Sequence, residues 1–135
     1  RSHRKHIAHG HQKRDFIYVK DVVKICHFLM EQKAISGIYN VGTGTARTFL
    51  ELAKATFAAL NKKTNIEFID TPQDIRDKYQ YFTEADMRKM KETAAYPYHF
   101  YSLEAGVDDY INNYLLKKTN KNPIAMNNYL SNINK

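Results

Sequence analysis

A chain of 135 residues with 43% apolar and 13% aromatic side chains can bury one hydrophobic core and is expected to form one domain. No apolar run is long enough for a membrane-spanning helix or a secretory leader, so a cytosolic location is the default expectation. The net charge of +7 invites a nucleic-acid partner, yet residues 1–14 hold five basic side chains and no acid, leaving 16 basic against 14 acidic residues for everything after.

That N-terminal arm carries four of the six histidines and one large apolar residue, Ile7, so it cannot bury a core alone. Residues 1–13 are expected to be a flexible lead-in. His3, His6, His9 and His11 have neither the cysteine or carboxylate companions nor the spacing of a zinc site, and no metal is expected there.

From Asp15 the pattern tightens. Residues 16–19, Phe-Ile-Tyr-Val, read as a short strand, and Asp21 reads as the cap of a helix in which Val22, Ile25, Cys26, Leu29 and Met30 recur at helical spacing. Cys26 is the single cysteine, cannot close an intrachain disulfide, and falls on that stripe where a small hydrophobe would pack, so it is expected in the core. Gly37 breaks the chain before a second strand over residues 38–41.

The stretch Asn40-Val41-Gly42-Thr43-Gly44-Thr45-Ala46-Arg47 then makes a glycine turn between strand and helix. A dinucleotide loop needs one glycine for the tight turn, one for close approach of the pyrophosphate and a third for helix packing. Gly42 and Gly44 supply the first two, but Arg47 stands in the third place and Asp70 comes late for the ribose-binding acid. A phosphate-binding Gly-Lys-Ser/Thr is absent. The residues alone favour a plain turn over a dinucleotide site without closing the question.

Thr48 and Glu51 have capping-box spacing ahead of a helix over residues 49–61, with Phe49, Leu50, Ala53, Phe57 and Leu60 as its apolar face. Residues 66–69 are a third strand candidate, stopped by Thr71-Pro72, and 73–81 read as a loop. Thr83 is placed to cap a short helix over 84–91, with Glu84 and Asp86 near its positive end. Ser102 caps a last helix faced by Leu103, Val107, Ile111, Tyr114 and Leu115, and the segment 119–135, with six asparagines and a proline, reads as a partly disordered tail. Short strands alternating with about four helices make this a small α/β domain, occupying residues 14–118.

Residues 14–22, Arg-Asp-Phe-Ile-Tyr-Val-Lys-Asp-Val, resemble the signature that opens the C-terminal part of extended short-chain dehydrogenase/reductases, the nucleotide-sugar epimerases and dehydratases. Asn40-Val41-Gly42-Thr43-Gly44 follows at the interval found in that superfamily. A narrower resemblance lies in Lys78-Tyr79-Gln80-Tyr81-Phe82-Thr83-Glu84-Ala85-Asp86, which is similar to a segment of the ADP-glyceromanno-heptose 6-epimerase family. Residues 36–40, 66–69 and 104–110 fit that family in order and spacing, so the likeness covers roughly 13–116.

The resemblance implies a two-domain isomerase of lipopolysaccharide core biosynthesis. An N-terminal Rossmann domain would hold NADP and a catalytic Tyr-x-x-x-Lys, and oxidation and reduction at C6 would interconvert the two ADP-heptose epimers. The present residues correspond to the substrate-binding domain, with no catalytic and no cofactor-binding residue of their own, and the enzyme would be a cytoplasmic homo-oligomer. Two positions match family substrate contacts. Arg14 would meet the diphosphate, where a planar guanidinium donates paired hydrogen bonds, and Tyr79 would offer a ring face and a hydroxyl to the nucleotide sugar. The chain departs from the family at His6-Ile7-Ala8-His9, where a Phe-Glu-Gly-Ser-like substrate loop would stand, and in its asparagine-rich end. Two other readings stay open: the substrate domain of a UDP- or dTDP-sugar epimerase or dehydratase, and a small basic nucleic-acid-binding module.

Overall fold

A computed structural model describes residue 8 and residues 10–32, 35–70, 72–76 and 78–117. The metal reading of His3, His6 and His9, most of the N-terminal arm and the segment 119–135 lie outside the described residues. Among the described residues the fold is α/β, with four helices, one further helical turn and a two-stranded sheet.

Strand β1 is Lys13–Arg14, followed by helix α1, Val19–Glu31. Strand β2, Arg47–Thr48, runs straight into helix α2, Phe49–Ala59. The single turn α3 is Gln73–Arg76, α4 is Arg88–Glu92, and α5, Leu103–Tyr110, continues as a π-helical turn over Ile111–Leu115.

β1 and β2 pair antiparallel, Lys13 opposite Thr48 and Arg14 opposite Arg47. A third segment lies along the other edge of β1. The Lys13 amide donates to the Tyr81 carbonyl at 2.9 Å, the Thr83 amide donates to the Lys13 carbonyl at 3.2 Å, and Lys13 forms a parallel bridge with Phe82. This small knot of backbone brings residues 13–15, 47–48 and 79–85 together across long sequence distances.

The three expected strands at 16–19, 38–41 and 66–69 are not strands here. A strand needs a neighbouring strand for its amides and carbonyls, and none of these segments has one among the described residues. Ile38 and Ile69 stand 89% and 78% exposed, so their apolar pattern finds no sheet face to pack on.

α1 starts two residues ahead of the expected Asp21 cap. Tyr18 takes the cap position without a side-chain bond, and Asp21, fully buried, accepts the Tyr101 amide at 2.8 Å instead. Ile25 is the buried centre of the helix, packed with Met87, Met90 and Ala94 and flanked by Ile17, Phe28 and Leu29. Cys26 corrects the sequence expectation: it is exposed. The apolar residues of α1 span more of its circumference than the one face that is covered, and Cys26 falls on the open side with Val19, Val23 and Met30.

The capping box of α2 forms as read. The Thr48 hydroxyl accepts the Glu51 amide at 3.1 Å and the Glu51 carboxylate accepts the Thr48 amide at 2.7 Å. The helix ends at Ala59, and Asn61 turns the chain with φ at 53°. Ser102 likewise caps α5, accepting the Ala105 amide at 3.1 Å. Thr83 does not cap a helix, because the residues after it are drawn into the knot, the Ala85 amide bonding to Asp15. Helix α4 begins only at Arg88, where Asp86 accepts the Arg88 amide at 3.0 Å. α2 packs on α5 and on the π-helical turn after it, and Ala55, Ala59 and Ile111 are buried. Among the described residues no helix is long and apolar enough to cross a membrane.

Candidate functional site

Arg14 and Tyr79, separated by 65 positions in the chain, stand side by side. The Arg14 guanidinium carbon lies over two rings, 5.5 Å from the centre of the Tyr79 ring and 5.8 Å from the centre of the Phe49 ring. Each face attracts a cation through its ring quadrupole. Nη1 donates to the Lys13 carbonyl at 2.8 Å and Nη2 donates to the Gln80 carbonyl. Tyr79 is braced in turn by an edge-to-face contact with Tyr81, 5.1 Å between centres, and Phe49 by one with Phe16, 5.4 Å.

No carboxylate pairs with Arg14 among the described residues. A guanidinium has five N–H donors, so the two carbonyls orient it while leaving donors and a full positive charge for an anionic ligand. A guanidinium oriented in this way can donate paired hydrogen bonds to an anion.

The residue beside Arg14 holds the framework. Asp15 Oδ1 accepts the Thr43 amide at 2.8 Å and the Thr43 hydroxyl at 2.6 Å, and Oδ2 accepts the amides of Gly44 at 2.9 Å and Ala85 at 3.1 Å. Burial by itself would raise the Asp15 carboxyl, but the Thr43 hydroxyl and the three amides outweigh it, and the group is held below its ordinary value. Gly42 leaves room for this approach. A Cβ placed there would lie 2.5 Å from both Asp15 Oδ2 and the Ala85 Cβ. Gly44, with φ at +75°, supplies the left-handed bend that aims its own amide at the carboxylate.

The glycine turn is therefore already filled. Its Thr43 and Gly44 amides bind Asp15, the Thr45 amide binds the Thr43 hydroxyl at 3.1 Å, and the Ala46 amide binds Glu84 at 2.7 Å. The first amides of α2 are taken too, Phe49 by the Gln12 carbonyl, Leu50 by the Gly10 carbonyl and Glu51 by Thr48. A pyrophosphate needs such donors vacant, so these residues do not fit one. Arg47, the misfit of the glycine fingerprint, ties elements together instead, pairing with Glu51 at 2.9 Å and with Glu104 of α5 at 2.6 Å.

A second cluster ties α1 to α5. Asp109 accepts the Tyr18 hydroxyl at 2.5 Å and the Lys20 ammonium at 2.6 Å. Lys20 first, then Tyr18 and Asn113, hold the Asp109 carboxyl down to about 2, while desolvation first, then the bond to Asp109, push the Tyr18 phenol up to about 12. Both shifts favour the charge states of a tie and oppose those of an acid or base. An open groove of about 640 Å³ between α2 and α5 is lined by apolar side chains such as Leu52, Val107 and Ile111, and neither Arg14 nor Tyr79 borders it.

The sequence picks out Arg14 and Tyr79, and the fold brings them together. It offers no role for Asp15 and presents Phe49 as core packing. The only trace of either is adjacency: Asp15 next to Arg14 in one motif, and Phe49 at the start of a capped helix.

Residues 3–42 match the model of the NAD dependent epimerase/dehydratase family. Over 124 residues the chain is 44% identical to the ADP-L-glycero-D-manno-heptose-6-epimerase of Fusobacterium nucleatum, an alignment that covers 87% of this chain and 37% of that protein. The protein of the same name from Nitratidesulfovibrio vulgaris is 47% identical over 108 residues, covering 80% of this chain and 33% of the relative. That of Brachyspira hyodysenteriae is 42% identical over 97 residues, covering 72% of this chain and 30% of the relative.

Residues 3–42 are thus similar to the NAD dependent epimerase/dehydratase family, and most of the chain is similar to curated ADP-L-glycero-D-manno-heptose-6-epimerases. It spans about a third of the length of the curated epimerases it matches. The likeness of the chain to these epimerases runs far beyond residues 3–42, since the longest alignment covers 87% of it.

Proposed function

We propose that this chain is the substrate-binding part of an ADP-glyceromanno-heptose 6-epimerase and that it holds the ADP-sugar through Arg14 and Tyr79. The observation that carries the reading is the guanidinium of Arg14, lying over the rings of Tyr79 and Phe49 and steered by two carbonyls, with no carboxylate neutralising it among the described residues. Fixed charge at this point suits a diphosphate, and the adjoining phenol suits the nucleoside or sugar beside it.

The division of labour follows from the same residues. A sugar that is epimerised must be turned within the site, so the grip belongs at the nucleotide end, where a bidentate arginine holds without touching the reacting carbon. The nicotinamide cofactor of the family, NADP in this proposal, is assigned to the portion of the enzyme that this chain does not span. The filled amides of residues 43–46 support that assignment. A cytoplasmic homo-oligomer serving lipopolysaccharide core synthesis belongs to the same proposal.

The test is turnover by the full-length protein offered ADP-D-glycero-D-manno-heptose and UDP-hexoses in parallel. Conversion of the ADP-heptose to its 6-epimer, with UDP-sugars untouched, is the expected result. Preference for a UDP-sugar would move the chain to another branch of the epimerase/dehydratase family.

A further inference from the structure

We propose that Asp15 is the positioning residue of the nucleotide-sugar site: its carboxylate, seated on the glycine turn in the place an anion would take, fixes where Tyr79 stands relative to Arg14. This inference rests on the reading of Arg14 and Tyr79 given under Proposed function.

Arg14 and Tyr79 have no direct hydrogen bond to each other among the contacts described. Their separation is set by how segment 79–85 lies along β1. Two backbone bonds, from Lys13 to Tyr81 and from Thr83 to Lys13, hold its middle, while the Arg14 guanidinium donates to the Gln80 carbonyl and the Glu84 carboxylate accepts the Ala46 amide. At its far end the backbone of the segment is fixed by the Ala85 amide on Asp15 Oδ2 at 3.1 Å. The same carboxylate is anchored from behind by Thr43 and Gly44, so it cannot follow the segment if the segment moves. Without this anchor the far end of the segment loses its backbone bond to the framework and is held there through the Glu84 side chain, so it can shift, and an error of about 1 Å at a binding group is enough to cost much of its effect.

The four donors around Asp15 come from the glycine turn and from the segment after Thr83, both distant from it in sequence, and all four point at one carboxylate. Ordinary fold stabilisation does not require that the carboxylate be the neighbour of the ligand-binding arginine. Successive side chains along extended backbone point to opposite faces, and Asp15 follows directly on β1. Arg14 thus faces the ligand while Asp15 faces the framework, and the backbone between them transmits the position of one to the other.

The test is a double-mutant cycle in the full-length protein, with ADP as the probe and its dissociation constant as the readout. Asp15→Asn keeps the shape, but turns one acceptor into a donor that faces amide donors. It is expected to weaken ADP binding about tenfold in the presence of Arg14 and less than twofold in an Arg14→Ala background. An unchanged ADP affinity in folded Asp15→Asn protein, or the same tenfold loss in both backgrounds, would overturn the proposal and leave Asp15 a fold-stabilising residue. If Asp15→Asn does not fold, Thr43→Val removes one donor of the four and is expected to weaken ADP binding about threefold, again only when Arg14 is present; no change would count against positioning. If Arg14→Ala alone leaves ADP binding intact, the site reading itself fails and this inference falls with it, an outcome distinct from the loss of coupling.

Discussion

Gly42 shows how closely one residue is fitted around another. A methyl group there would sit 2.5 Å from Asp15 Oδ2 and from the Ala85 Cβ, both of them held in place by hydrogen bonds. Relieving that overlap means displacing the carboxylate from its amides. Gly42→Ala is therefore expected to destabilise the domain by about 1–3 kcal/mol, the range for overpacking at a tight contact, measured by denaturant unfolding of the variant against the parent. Stability equal to the parent would show that the turn can move away from Asp15. Motifs mark out Gly42 and Asp15 without connecting them, since the contact between a carboxylate and a turn 28 residues away is created by tertiary folding.

At the scale of elements, what was legible was local. The Thr48–Glu51 box and the Ser102 cap each lie within four residues, and both form as their spacing foretells. The strands were not legible, because β1 and β2 are two residues each and exist only through mutual pairing and the bridge to Phe82, whereas the more strand-like stretches lack a neighbour among the described residues. Thr83 has the chemistry of a cap, but its segment is claimed by Lys13 and Asp15 before a helix can start. Thr48→Ala removes a real cap and is expected to cost about 1 kcal/mol, lowering the melting temperature by several degrees; a shift under about one degree would mean the Glu51 bonds alone suffice.

The same caps and ties set the response to pH. The Thr48 amide and hydroxyl first, then Arg47, hold Glu51 at about 2, and Asp109 also lies at about 2. An unfolded chain takes up these protons nearer about 4, so below that pH it binds more protons than the folded chain, and acid favours unfolding. The stabilisation is complete above about pH 4.5 and is expected to fade as pH falls toward 2. Tyr18 works at the other end. Its phenol ionises near 10 when unfolded and near 12 when folded, so its contribution is complete below 10 and is lost as pH rises toward 12. Unfolding midpoints recorded from about pH 2 to 12 should form a plateau with two falling shoulders, and a midpoint that rises below about pH 4 would contradict the assignments.

At the scale of the whole molecule, several large apolar side chains lie uncovered among the described residues. Val19, Val23 and Met30 on α1 are 57%, 61% and 79% exposed, and Ile38 is 89% exposed. Surface of this kind ordinarily packs against further protein, in keeping with relatives of which this chain covers 37% and 33%. The purified 135-residue chain is accordingly expected to give no turnover of ADP-heptose with NADP. Measurable turnover would place the reacting groups within these residues.

The proposed grip on the nucleotide sugar stands or falls on Arg14. Calorimetric titration of the full-length protein and its Arg14→Ala variant with ADP-heptose measures its contribution directly. Hydrogen bonds between charged partners are worth about 1.5–3 kcal/mol, which corresponds to roughly 10- to 150-fold in affinity. A loss of that size with an unchanged melting temperature is the expected result; affinity within about twofold of the parent would contradict the role given to Arg14.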